Sequence, residues 1–199
     1  EARPMAAAEL LQRIAGQANQ DEEDPTPPGQ LALGDLAEPE PDPIMIEDVI
    51  TTALQDMLAD PEASFQPEGF LYQDFSVRCR MQKLRRVPLD LAAFRRRYAI
   101  AKAGIFDPTN TRWTEALSAA SRLPDDMLAP FLLIARAAME GEPCPDDEAL
   151  GRAYGTRSPG RIRRLVEYME KQGVIVLRND FSGRRSVGIP ELGISTEAD

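Results

Sequence analysis

Residues 145–190 read PDDEALGRAYGTRSPGRIRRLVEYMEKQGVIVLRNDFSGRRSVGIP, and this stretch decides the fold. Apolar residues at helical spacing predict a short helix and, from Pro159 onward, a longer and strongly basic one. Gly155 and the Thr-Arg-Ser-Pro sequence after it predict a tight turn between the two helices. Val174–Leu177 and Arg185–Ile189 alternate well enough to predict the two strands of a hairpin.

The second helix of this stretch has one apolar side and one basic side. Ser158 followed by Pro159 is typical of a helix start, because the hydroxyl can accept from a free amide and proline fits the first helical position. At about 100° per residue, the predicted buried stripe comprises Ile162, Leu165, Val166 and Met169. The opposite side comprises Gly160, Arg163, Arg164, Glu167 and Lys171, with Arg161 on its flank.

A basic face of this kind is typical of a helix that reads the major groove of DNA. Arginine can donate two hydrogen bonds to O6 and N7 of guanine, and Gly160 leaves room for close approach. Arg157 and Arg161 lie nearer the DNA backbone, where they would position the helix and not select bases. The tip of the hairpin adds cations that suit phosphate or minor-groove contacts, namely Arg178, Arg184 and Arg185. These elements together predict a winged helix-turn-helix.

The segment Pro143–Ile175, PCPDDEALGRAYGTRSPGRIRRLVEYMEKQGVI, resembles the LexA-type DNA-binding domain of the winged helix-turn-helix superfamily. The Arg-Ser-Pro turn before the second helix and the Lys-x-Gly-Val-Ile sequence after it carry the resemblance. In that family the second helix reads operator DNA, and the matching positions are Ser158, Gly160, Arg161, Arg163 and Arg164. About ten residues follow Pro190, so the resemblance implies no self-cleaving peptidase domain.

The residues before this module predict further helices. Ile44–Leu58 has an apolar stripe at i, i+3, i+4 and i+7. Phe70–Leu84 has two apolar sides, which predicts a helix sandwiched between neighbours. Leu89–Ile105 follows after a short connection, so the pair is a candidate for a first helix-turn-helix, and the short FDPTNTRW segment after it is the only candidate for a wing.

Three consecutive arginines, Arg95, Arg96 and Arg97, lie in the second helix of this first candidate unit. Consecutive residues spread over about 200° of a helix, so the three cannot all line one groove. Arg96 faces outward, and Arg95 and Arg97 lie on the borders of the apolar face. This placement favours a phosphate contact by Arg96, or a structural role, over base reading.

The net charge of −10 is very unevenly distributed along the chain. Residues 1–66 hold 15 acids and 2 bases, whereas residues 67–199 hold 18 acids and 21 bases. Residues 1–18 predict a short amphipathic helix, and residues 19–43 predict an acidic, proline-rich linker. We expect this acidic arm to contact a protein partner or to restrain the basic part of the chain.

The predicted fold is mainly α, with tandem helix-turn-helix units, the C-terminal one winged by a small β-hairpin, and an acidic, proline-rich N-terminal arm. The predicted order follows by residue range: a helix at 1–18, a linker at 19–43, a helical domain at 44–121, the winged domain at 122–192 and a tail at 193–199.

Several function classes are disfavoured by composition. The chain has no histidine, and its two cysteines are far apart, so we expect free thiols, no metal site and no cofactor. No glycine-rich phosphate loop or convergent carboxylate pair is recognisable, and we expect no enzymatic activity. No apolar run approaches the ~20 residues that span a bilayer, and no secretory signal is visible, so we expect a cytoplasmic, nucleoid-associated protein.

The sequence therefore predicts a transcriptional regulator that binds specific sites in double-stranded DNA. Its expected partners are duplex DNA, a protein bound by the acidic arm and, as one option, a second copy in a homodimer. Two alternatives remain open. Tandem winged-helix proteins of low isoelectric point also act as structural subunits of chromosome-organising complexes, and plasmid-type replication initiators resemble tandem winged helices too.

Overall fold

A computed structural model of the chain describes residues 42–179 and 185–198. For Asn179 and Arg185 it describes only the backbone. Among these residues are seven α-helices and a three-stranded antiparallel sheet near the carboxyl end. The prediction of a mainly helical fold with a C-terminal hairpin is confirmed. The predicted helix at 1–18, and the linker at 19–43 apart from its last two residues, lie outside the described residues.

The four helices predicted to start at Ile44, Phe70, Leu89 and Pro159 begin within two residues of those positions, because short-range signals define them. Asp42, Asp90 and Asp146 each cap a helix by accepting a hydrogen bond from a first-turn amide. The helices are α1 (Pro43–Leu58), α2 (Glu68–Met81), α3 (Leu91–Lys102), α4 (Thr114–Ala119), α5 (Leu128–Glu140), α6 (Asp147–Tyr154) and α7 (Pro159–Lys171). Short 3-10 turns lie at Ala63–Phe65, Thr111–Trp113, Ala120–Arg122 and Asp125–Met127.

Helix α3 belongs to two hydrophobic clusters and joins them. Phe94 and Tyr98 pack with α1 and α2 in the first cluster. Ala99, Ile100 and Ala103 pack with α4 to α7 and the sheet in the second cluster. Because α3 is shared, the amino-terminal helices are attached directly to the core that supports α6 and α7.

The prediction that Phe70–Leu84 forms a helix sandwiched between neighbours is wrong. Leu71 and Phe75 are buried on one side of α2. On its other side, Phe70 is 58% exposed, Val77 is 50% exposed and Met81 is 78% exposed. The physical reason is that α3, not α2, runs between the two clusters, so α2 needs only one apolar side. The second apolar side of α2 therefore lies on the surface.

The sheet consists of β1 (Val176–Asn179), β2 (Arg185–Ile189) and β3 (Ile194–Ser195), paired in that order. The predicted hairpin corresponds to β1 and β2, and its turn lies outside the described residues. The strand β3 falls in the stretch for which the sequence predicts a tail. Thr196 fixes it there, because its amide donates to the Val187 carbonyl at 3.0 Å and its hydroxyl accepts from the Val187 amide at 2.9 Å.

No disulfide joins Cys79 and Cys144, as expected from their separation in the sequence. Cys79 is fully buried in the first cluster, and burial raises the pKa of its thiol to about 11. At neutral pH this thiol is therefore protonated and unreactive. As for membrane insertion, the described helices are too short or too polar for any of them to cross a bilayer.

Two tyrosines of the first cluster differ in how their hydroxyls are satisfied. Tyr98 is 5% exposed, and its hydroxyl has no hydrogen-bond partner among the described residues. Burial raises the pKa of Tyr98 to about 12. In contrast, the Tyr72 hydroxyl donates to the Leu89 carbonyl at 2.9 Å. The pair offers a matched test of the packing around α3.

We expect Tyr98→Phe to raise the free energy of unfolding by about 1 kcal/mol, because it removes an unsatisfied buried hydroxyl. We expect Tyr72→Phe to lower it by about 1 kcal/mol, because the Leu89 carbonyl loses its donor. Urea denaturation followed by circular dichroism measures both changes. If Tyr98→Phe destabilised the protein as much as Tyr72→Phe, the Tyr98 hydroxyl would have a partner in solution.

Candidate nucleic-acid interface

The connection between α6 and α7 comprises four residues, Gly155–Ser158. Gly155 has a φ of 83°, in the left-handed region that favours glycine. The amides of Gly155 and Thr156 both donate to the Gly151 carbonyl at 2.8 Å. A Cβ atom at Gly151 would lie 2.6 Å from the Thr156 carbonyl oxygen. Glycine at 151 is therefore what allows the connection to fold back so closely on α6.

Helix α7 begins at Pro159, as predicted, but Ser158 does not cap it with its side chain. The prediction of a capping hydroxyl is wrong, because the Arg161 amide, from which such a hydroxyl would accept, donates to the Ser158 carbonyl at 3.0 Å. The Ser158 amide itself donates to the Thr156 hydroxyl at 3.2 Å. Within the described part of the chain, the Gly160 amide forms no hydrogen bond. The first turn of α7 thus presents this amide to solvent as a donor.

The two sides of α7 match the helical wheel. Ile162, Leu165, Val166 and Met169 are all buried in the second cluster. The opposite, exposed side carries Gly160, Arg163, Arg164, Glu167 and Lys171, with Arg161 on its flank. We call Gly160 and the four cations of this side, Arg161 included, the basic face of α7. The buried stripe fixes the rotation of the helix about its axis, so the arginines are held on the surface by packing.

The arginines of the basic face differ in their local contacts. The Arg164 Nε atom donates to the Gly160 carbonyl at 3.2 Å, which directs the side chain toward the start of the helix. Arg161 and Arg163 form no ion pair with any residue that the structure describes. Lys171 lies in the last turn, about 16 Å along the axis from Gly160. The cations near the first two turns therefore form a surface separate from Lys171.

Arg157, just before α7, is held by residues from the amino-terminal half of the fold. Its Nη2 atom lies 2.6 Å from each carboxylate oxygen of Glu62. Its guanidinium carbon lies 4.0 Å from the centre of the Phe65 ring. Sequence reasoning missed Glu62 and Phe65, because no local pattern connects positions separated by 95 residues. The DNA contact predicted for Arg157 therefore has an intramolecular competitor.

The predicted cations of the hairpin are described only in part. Arg178 is exposed on β1, where it pairs with Ser186 of β2. The backbone of Arg185 pairs with Asn179, whereas the structure does not describe the Arg185 side chain. Arg184 lies outside the described residues altogether. Of these three arginines, only Arg178 therefore has a side chain that the structure describes.

Arg96 lies on the exposed side of α3, as the helical wheel predicts. Its two neighbours are used inside the fold. Arg95 donates to Glu68 at 2.7 Å, and Arg97 forms an ion pair with Glu47. Among these three arginines, Arg96 alone has no ion pair with a described residue, so a phosphate contact remains a prediction for Arg96.

Helix α6 is anchored on its outer side by a hydrogen bond. The Tyr154 hydroxyl donates to Asp126 Oδ2 at 3.2 Å. Burial raises the pKa of Tyr154, and the charge of Asp126 raises it further, so this hydroxyl remains a donor at neutral pH. The contact ties α6, and with it the connection to α7, to the turn before α5.

No protein-family model, curated protein or solved structure matches this chain. Within residues 42–179 and 185–198, no three metal-ligating side chains lie close enough to hold an ion. The function is therefore inferred from the geometry of the chain's own residues.

Replacing Gly151 or Gly160 by alanine should change the free energy of unfolding in opposite directions. We expect Gly151→Ala to lower the free energy of unfolding by about 2 kcal/mol, because the new Cβ atom meets the Thr156 carbonyl. A Cβ atom at Gly160 would have no other atom within 4 Å, so Gly160→Ala should raise stability by about 0.5–1 kcal/mol. Thermal and urea denaturation measure both, and equal effects would contradict the close packing of the connection on α6.

Proposed function

We propose that the chain is a transcriptional regulator that binds specific sites in double-stranded DNA through a C-terminal winged helix-turn-helix. The observation that carries the proposal is the basic face of α7, which lies opposite the buried stripe of the same helix. An arginine-bearing face held at a fixed rotation is what base recognition in the major groove requires.

The connections on both sides of α7 support this proposal. The link between α6 and α7 is four residues long, within the three to four residues usual between the helices of a helix-turn-helix. The antiparallel pair β1 and β2 follows α7, at the position that a wing occupies. We therefore assign α7 to the major groove and the hairpin to the flanking backbone or minor groove.

Individual residues then receive distinct roles. Arg163 and Arg164 are proposed to reach base edges, with Gly160 allowing close approach. Ser158 and Arg161, near the positive end of the helix dipole, are proposed to hold phosphates. The remaining phosphate contacts are proposed for Lys171, Arg178, Arg184, Arg185 and Arg96.

The first candidate helix-turn-helix, α2 and α3, has weaker support. Nine residues, Gln82–Asp90, connect the two helices, which is more than the usual three to four. The FDPTNTRW segment, its candidate wing, contains the 3-10 turn Thr111–Trp113 and no strand. We propose that this half supports the reading module through α3.

A second candidate function is that of a structural subunit in a chromosome-organising complex. The observation in its favour is the row Phe70, Val77 and Met81 on α2, whose exposed apolar surface is typical of a protein contact. A subunit of this kind would co-purify with a large partner and show little base preference. A regulator would enrich a defined duplex sequence.

We expect Arg163→Ala to relax base preference at one position of a selected duplex. Discrimination against a substituted base pair there should fall by about 1–3 kcal/mol, because the bidentate contact is lost. Fluorescence anisotropy with single-base variants of the duplex measures this loss.

Arg122→Ala is the matched control, because Arg122 is an exposed arginine paired with Glu191 at 3.1 Å, outside the basic face. It should leave base preference unchanged. If Arg163→Ala and Arg164→Ala both bound every duplex as the wild type does, α7 would not be the reading helix.

A further inference from the structure

The contact between Glu62, Phe65 and Arg157 uses the residue that lies two positions before the proposed reading helix. The carboxylate of Glu62 accepts two short hydrogen bonds from one nitrogen of Arg157, while the ring of Phe65 covers the flat side of the guanidinium. We call these three residues the Arg157 clamp.

The backbone beside the clamp is also closely packed, so the position of Glu62 and Phe65 next to Arg157 is set by the fold and not by the long side chains alone. A Cβ atom at Gly155 would lie 2.9 Å from the Ser64 carbonyl oxygen. The 3-10 turn Ala63–Phe65 therefore sits directly on the connection between α6 and α7. A groove of about 470 Å³ runs between them and is lined by Glu62, Phe65, Arg157 and Ser158, among others.

We propose that Glu62 occupies Arg157 in place of a DNA phosphate, and that duplex DNA must displace this carboxylate to gain the Arg157 contact. Glu62 thereby lowers DNA affinity, while Phe65 keeps the guanidinium stacked at the start of α7 during the exchange. This inference rests on the proposed DNA-binding function and adds a residue, Glu62, that controls its strength.

The exposure of the pair makes such an exchange feasible. The side chains of Arg157 and Glu62 are 65% and 62% exposed, and ion pairs in water are individually weak. A DNA backbone offers a dense row of phosphates and gains from counterion release when arginine binds. The phosphate therefore competes well, whereas the stacking on Phe65 does not depend on which anion is bound.

The test is the affinity of the full chain for a duplex selected by it, measured by fluorescence anisotropy at fixed salt. We expect Glu62→Gln to bind about two- to fivefold more tightly than the wild type, because Arg157 is released. The matched control is Glu148→Gln, which removes the same charge from the same groove but from an ion pair with Arg152 at 2.6 Å. Its affinity should change much less.

A double variant separates the clamp from a general charge effect. In an Arg157→Ala background, Glu62→Gln should no longer strengthen binding beyond Glu148→Gln. Unfolding midpoints of all variants confirm that each is folded.

The outcomes separate this inference from the function on which it rests. If the wild type bound no duplex at all, the proposed function would fail and the inference with it. If the wild type bound DNA but Glu62→Gln strengthened binding no more than Glu148→Gln, the inference alone would be rejected. Weaker binding by Glu62→Gln would also reject it, since Glu62 would then position Arg157 for DNA.

Discussion

The close approach between Gly151 and the Thr156 carbonyl is the constraint on which the candidate interface depends. Because no side chain separates α6 from the connection that follows it, four residues are enough to link α6 to α7. Helix α7 then starts at a fixed place, and its apolar stripe must enter the second cluster. The side of α7 on which the arginines lie follows from this packing, and the hydrogen bond from Arg164 to the Gly160 carbonyl then directs that one side chain toward the start of the helix.

The role of α3 extends this constraint to the amino-terminal helices. Residues on two sides of α3 enter different clusters, so the two clusters share this helix. This arrangement brings the turn Ala63–Phe65 against the start of α7 and places Glu62 beside Arg157. The contact between Glu62 and Arg157 is therefore a consequence of core packing. Under the proposed function, it would make DNA affinity depend on residues far from α7 in the sequence.

Local features of this chain are predictable from sequence because short-range physics determines them. The rotation of α7 follows from the spacing of Ile162, Leu165 and Met169, and its start follows from Pro159. Features that depend on distant partners are not predictable in this way. The exposed side of α2 depends on where α3 lies, β3 depends on a two-residue pairing, and the clamp joins residues 95 positions apart. The capping role predicted for Ser158 is wrong for a local reason, because the Arg161 amide donates to the Ser158 carbonyl and not to its hydroxyl.

Selection from a randomised pool of DNA duplexes by the full chain tests the central claim most directly. Specific reading by α7 predicts that repeated rounds, followed by sequencing, enrich one short motif that contains guanine at a position contacted by arginine. A final pool with the base composition of the starting pool, despite retained duplex binding, would contradict sequence-specific recognition and favour the structural-subunit alternative.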